Sequence, residues 1–155
     1  YIPEPEVIQE APNLVTVTET GATKFQQAVV VRGHSLIADE PPGVGGGDTG
    51  PTPYDFLTIA LGACTTMTLR MYAERKGLDL GRLSVTVDHA KVHAEDCAEC
   101  EGRDGRVDRF ERVISVAEEP SEEVRSKLIE IANKCPVHRT LEASSVVATR
   151  LAEPD

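Results

Sequence analysis

Among the four cysteines of this 155-residue chain, Cys64 and Cys135 stand where chemistry is possible. Cys64 recurs with Phe56, Ala60, Met67 and Met71 at spacings of three and four, which predicts one apolar helix face. Cys135 repeats the pattern with Val124, Leu128 and Ile131, and Pro136 places it at the end of its helix. A cysteine on an apolar face is structural more often than not, so Cys64 alone proves nothing. Cys135, however, is followed by Val137, His138 and Arg139, which bring polar and cationic groups beside a thiol. A thiolate is the nucleophile, and at neutral pH it needs such a neighbour.

The helix of Cys64 does not supply that cation. Arg70 lies about 240° around the helix from Cys64, and Arg75 and Lys76 lie past the stripe. Before Arg70 the chain holds only Lys24 and Arg32 as cations, and Arg32, between a strand and His34, is the better candidate. An Arg at a strand end is equally well read as simply solvated.

The other two cysteines form a lone C-x-x-C, Cys97 to Cys100, at a predicted hairpin tip among Asp96, Glu99 and Glu101. A zinc knuckle completed by His89 and His93, a surface redox dithiol and an inert polar turn all fit. The acidic surroundings disfavour thiolates and favour the inert turn. No metal and no cofactor is expected.

These residues need a scaffold, and the elements follow from the pattern. Residues 1–13 carry Pro3, Pro5 and Pro12 and read as a loosely held arm ahead of a single domain over 14–155. Two or three antiparallel strands are predicted between Leu14 and Ile37. The stretch from Pro41 to Pro53 is rich in Gly and Pro and reads as a loop. Its Gly43-Val44-Gly45-Gly46-Gly47 lacks the Lys-Ser/Thr of a phosphate loop, and Asp48 interrupts the dinucleotide spacing. A helix is expected from about 53 to 76, with Thr52 as N-cap, Pro53 at its first position, Asp55 completing a capping box and Gly77 ending it. Leu83 to His93 and Val107 to Val116 predict a long hairpin, a second helix follows Ser121, and Ser144 to Leu151 reads as a closing strand. The sum is an α+β fold with antiparallel strands and two main helices carrying the cysteines.

A formal charge of −10 argues against nucleic acid or an anionic membrane as partner. No apolar run reaches the ~20 residues of a membrane span and no signal-type start is visible, so a cytoplasmic location is expected.

The blocks Leu61-Gly62-Ala63-Cys64-Thr65, Met67 to Ala73, and Cys135-Pro136-Val137-His138-Arg139-Thr140-Leu141 strongly resemble the OsmC/Ohr family of osmotically inducible and organic hydroperoxide resistance proteins. The resemblance runs from about Phe25 to the C-terminus. It is nearest a branch with a His-x-Leu-Ile-Ala-Asp-Glu-Pro segment, here His34 to Pro41, and an Asp-Cys-x-x-Cys-Glu insert, here Asp96 to Glu101. It implies an intertwined homodimer and a thiol peroxidase: Cys64 attacks an organic hydroperoxide and becomes a sulfenic acid, Cys135 closes a disulfide, and a dithiol reductant resets the pair. The family's peroxidases frame the first thiol with an Arg, matched here by Arg32, and with a Glu ten residues upstream, where this chain has Tyr54. Branch members also occur fused behind an α/β-hydrolase domain, which suits a chain that starts at Tyr1 without a Met. The alternative is a non-catalytic small-molecule binding or redox-sensing module, accessory to such a hydrolase.

Overall fold

The computed structural model describes residues 14–100 and 102–154, so the arm expected over 1–13 lies outside the described residues. The chain divides after Leu57 into two compact units.

The first unit carries strands β1 (Val15–Glu19), β2 (Gln27–Val31) and β3 (His34–Ala38), joined antiparallel in that order. Val15 pairs with Val31, and Val31 with His34 across a two-residue turn. That turn is Arg32-Gly33, with φ of 49° and 83°. Positive φ at both positions suits the right-handed twist of the flanking strands.

The Gly-rich loop after β3 wraps a carboxylate. Asp39 is buried and accepts hydrogen bonds from the Thr49 hydroxyl (2.6 Å), the Thr23 hydroxyl, and the backbone N–H groups of Glu40 (2.8 Å), Gly47 and Thr49. A Cβ at Gly46 would collide with the Glu40 carbonyl, and one at Gly47 would meet the Thr23 methyl. The glycines serve this close approach, and the protein's own carboxylate fills a cradle that resembled a phosphate loop in sequence. Led by the Thr49 hydroxyl, these donors hold the Asp39 pKa down at about 2.

Helix α1 (Pro53–Lys76) begins with the expected capping box: Asp55 N–H donates to Thr52 Oγ1 (3.1 Å) and Thr52 N–H to Asp55 Oδ2 (3.0 Å). It ends at Gly77, φ 66°, with Leu78 N–H bonded to the Ala73 carbonyl (2.8 Å). This is a left-handed cap whose following residue, Leu78, packs onto the core.

In the second unit, β4 (Leu83–His93) and β5 (Arg106–Val116) form the long hairpin, with Leu83 opposite Val116 and Val87 opposite Arg112. Helix α2 (Glu122–Ala132) starts at Ser121, whose hydroxyl accepts from Val124 N–H (3.2 Å). Leu69, Tyr72 and Ala73 of α1 close a core with Leu80, Leu128 and Ala132, flanked by Leu83, Ile114 and Val116. Full burial of each large side chain contributes roughly 1.5–3 kcal/mol.

Two expectations change. The buried stripe of α1 is Leu61, Thr65, Leu69, Tyr72 and Ala73, while Met67 and Met71 are 66% and 62% exposed. Cys64 therefore sits at the flank of the stripe, one position from Thr65. The second change lies downstream, where a third helix, α3 (Pro136–Glu142), follows α2 and Cys135 caps it with extended backbone, φ −62°, ψ 138°. Pro136 forces that geometry by excluding the helical region at the residue before it. Residues 144–151 have no regular secondary structure and are exposed, and among the described strands none pairs with them.

Candidate functional site

Cys64 and Cys135 meet within the second unit. Their thiols are free and near enough for each to shift the titration of the other. Cys64 is half-buried on α1, whereas Cys135 is fully buried.

Their environments separate the two thiols. Burial pushes the Cys64 pKa up, and although Val137 N–H and the Thr68 hydroxyl oppose this, Cys135 adds to the rise. Burial acts on Cys135 in the same sense, but it is outweighed by His138 N–H, which reaches Cys135 Sγ at 3.3 Å, and by the Cys64 thiol, the Thr65 hydroxyl and Val137 N–H. The net direction at Cys135 is down. The hydrogen-bond donors of the first turn of α3 thus favour the thiolate form at Cys135 more than at Cys64.

A residue that the sequence reading passed over organises this pair. Arg112 of β5 directs Nη1 to Thr65 Oγ1 and to the Ala132 carbonyl, each at 3.0 Å. Its Nη2 donates to Asn133 Oδ1 (3.0 Å) and to His138 Nδ1 (2.6 Å). Because a guanidinium only donates, Nδ1 accepts and the ring proton of His138 sits on Nε2, which faces Glu142 Oε1 at 3.4 Å. Arg112 was legible in one respect: it shares strand parity with Phe110, Ile114 and Val116 and so falls on the inward face of the hairpin.

Arg32, the cation expected beside Cys64, is exposed at the hairpin turn of the first unit, while every partner named above for the two thiols belongs to the second. Tyr54 is 47% exposed in the first turn of α1. Arg70, turned away from Cys64, donates to the Gly81 carbonyl (2.6 Å).

The hairpin tip is a closed turn rather than an open dithiol, since Cys97 and Cys100 form a disulfide with Cα atoms 5.3 Å apart. His89 is committed to Asp108 (2.9 Å) and stacks on Phe110. Among the described residues no three His, Cys, Asp or Glu side chains gather as a metal site. A groove of about 770 Å³ runs from this tip past Arg109 and Phe110 to Arg112 and His138; neither Cys64 nor Cys135 lines it.

The sequence pattern of OsmC-like proteins matches residues 45–150, more than half of the chain and inclusive of both free thiols. The chain belongs to the OsmC-like protein family. Solved OsmC-like structures share its α+β fold at low identity. One from Psychrobacter arcticus, described as an osmotic stress induced and detoxification response protein, superposes with a TM-score of 0.66 at 17% identity, covering 83% of this chain and 87% of the other. An organic hydroperoxide resistance protein of Legionella pneumophila gives 0.60 at 13%, covering 83% and 88%. The organic hydroperoxide resistance protein OhrB of Bacillus subtilis gives 0.55 at 17%, covering 83% and 89%. No curated protein sequence matches the chain. Among the described residues no helix is long and apolar enough to cross a membrane.

Proposed function

We propose that this OsmC-like chain is a thiol-dependent peroxidase that reduces organic hydroperoxides through Cys64 and Cys135, acting as one domain over 14–155. The observation that carries this reading is the pair of free thiols brought together on two segments, one half-buried and one fully buried, with His138 N–H donating to the buried one. The names of the Legionella pneumophila and Bacillus subtilis relatives supply the substrate class.

Access assigns the attacking role to Cys64, because a peroxide cannot reach a sulfur with no exposed surface. As the peroxide arrives, the Cys64 proton passes to the Cys135 thiolate. The Cys64 thiolate then displaces alkoxide from the distal oxygen and becomes a sulfenic acid, and the alkoxide takes the proton from Cys135 to leave as the alcohol. The Cys135 thiolate, regenerated, attacks the sulfenic sulfur and expels hydroxide, which leaves a Cys64–Cys135 disulfide. One peroxide is reduced by two electrons, and an external dithiol returns them by exchange. Cys135 in this cycle is proton carrier as well as resolving thiol.

Following the family resemblance, Arg32 is the candidate cation for the peroxide step. Arg32→Met is expected to slow Cys64 oxidation and to leave the Cys135 titration unchanged. A homodimer is proposed on the same basis. It is supported by the exposed Met67 and Met71 and by a C-terminal segment whose Val146 and Leu151 are 95% and 91% exposed.

The test is consumption of an alkyl hydroperoxide with a dithiol reductant. Cys64→Ser is expected to abolish turnover; a fully active Cys64→Ser protein ends this reading.

A further inference from the structure

We infer that Arg112 is the positioning residue of the thiol pair: its guanidinium grips Thr65, the Ala132 carbonyl, Asn133 and His138, and so fixes the two cysteine-bearing segments against one another. The inference rests on the thiol-pair reading above and adds to it a residue outside the family's Cys, Arg and Glu set.

The geometry makes the argument. Thr65 follows Cys64 on α1. Ala132 and Asn133 lie three and two residues before Cys135, and His138 lies three after it. Four hydrogen bonds of 2.6–3.0 Å from one planar group thus tie the residue after Cys64 to residues on both sides of Cys135. A guanidinium does this because its donors point in fixed directions within a plane, whereas an ammonium offers one compact charge on a flexible stem.

What Arg112 holds are the donors that Cys135 needs. Through His138 it orients the first turn of α3, whose His138 N–H reaches Cys135 Sγ. It also donates to Thr65 Oγ1, whose hydroxyl donates to the Leu61 carbonyl (2.6 Å) and contributes to lowering the Cys135 pKa. The titratable and charged groups around the site are Cys64, Cys135, Arg112, His138 and Glu142.

The experiment compares Arg112→Gln and Arg112→Lys with the parent in two assays. The first is the pH titration of the Cys135 thiolate by its ultraviolet absorbance in a Cys64→Ser background, which needs neither peroxide chemistry nor access of a reagent to the buried sulfur. Arg112→Gln is expected to raise the midpoint by about one pH unit, and Arg112→Lys by a smaller amount, since it keeps charge but loses the fork. The second is the rate of Cys64–Cys135 disulfide closure after one equivalent of alkyl hydroperoxide, expected to fall at least about tenfold in both variants.

An unchanged thiolate titration in a folded Arg112→Gln protein overturns the inference. If that variant does not fold, Arg112→Lys decides in the same assay, and a parental profile there overturns it. Failure of the parent to react with peroxide would sink the peroxidase reading and leave the thiolate titration to judge Arg112 alone.

Discussion

Replacing Thr65 with Val tests the link between the helix of Cys64 and the charge on Cys135. The two side chains have nearly the same shape, and Thr65 is fully buried, so the change removes a hydroxyl without opening a cavity. That hydroxyl donates to the Leu61 carbonyl at 2.6 Å and accepts from Arg112 at 3.0 Å. The carbonyl keeps the backbone bond of the helix, and Arg112 Nη1 keeps the Ala132 carbonyl, so neither is orphaned. What is lost is one hydrogen bond to a charged group, about 1.5–3 kcal/mol, against a gain of under about 1 kcal/mol for burying a methyl in place of a hydroxyl. The net expectation is a loss of about 1–2 kcal/mol, or about 5 °C in Tm for a chain of this size, with Thr65→Ser recovering most of it. Thermal melting at fixed concentration reads this directly. In a Cys64→Ser background the Cys135 thiolate absorbance should shift to higher pH in the same variant, because the Thr65 hydroxyl that lowers the Cys135 pKa is gone. A Val variant that melts at the parental temperature and titrates like the parent refutes this account of the site.

Serine at both Cys97 and Cys100 is expected to leave peroxide turnover intact and to cost at most about 2 kcal/mol, the loop-closure value for so short a bridge; loss of turnover in that variant would give the tip a chemical role. The folded Asp39 carboxyl is held at about 2, below its ordinary value of 3.8. Its hold on the Gly-rich loop is therefore complete above about pH 4 and fades only as pH falls through about 2. An NMR titration of Asp39 with a midpoint near 4 would contradict this. Light scattering is expected to find a dimer, and a stable species of 16.7 kDa would contradict the proposed assembly.

The elements were legible where local rules are strong. Thr52, Pro53, Asp55 and Gly77 mark both ends of α1, and the alternation in 83–93 and 106–116 defines the hairpin. Periodicity was a poorer guide to the face of α1, because Thr65 is buried through its two hydrogen bonds while two methionines on the neighbouring face stay exposed. Pro136 located Cys135 at a helix boundary, but the seven-residue α3 beyond it was too short to show a period. Both thiols were found from sequence. The group that ties their segments together was not, because a search for a nearby cation along the chain follows sequence distance, and Arg112 reaches Thr65 from 47 residues away. Its inward parity on β5 was the available signal. Asp39 hid in the same way, inside a segment whose glycines drew attention to phosphate instead of to the carboxylate they enclose.

The most direct measurement of the central claim is peptide mass spectrometry of the parent protein and Cys135→Ser after one equivalent of alkyl hydroperoxide, without reductant. The proposed cycle predicts a Cys64–Cys135 disulfide in the parent. In Cys135→Ser it predicts a Cys64 sulfenic acid that forms more slowly than the parent disulfide, because the proton acceptor has been removed. A parent protein whose Cys64 and Cys135 both remain reduced under these conditions contradicts the account.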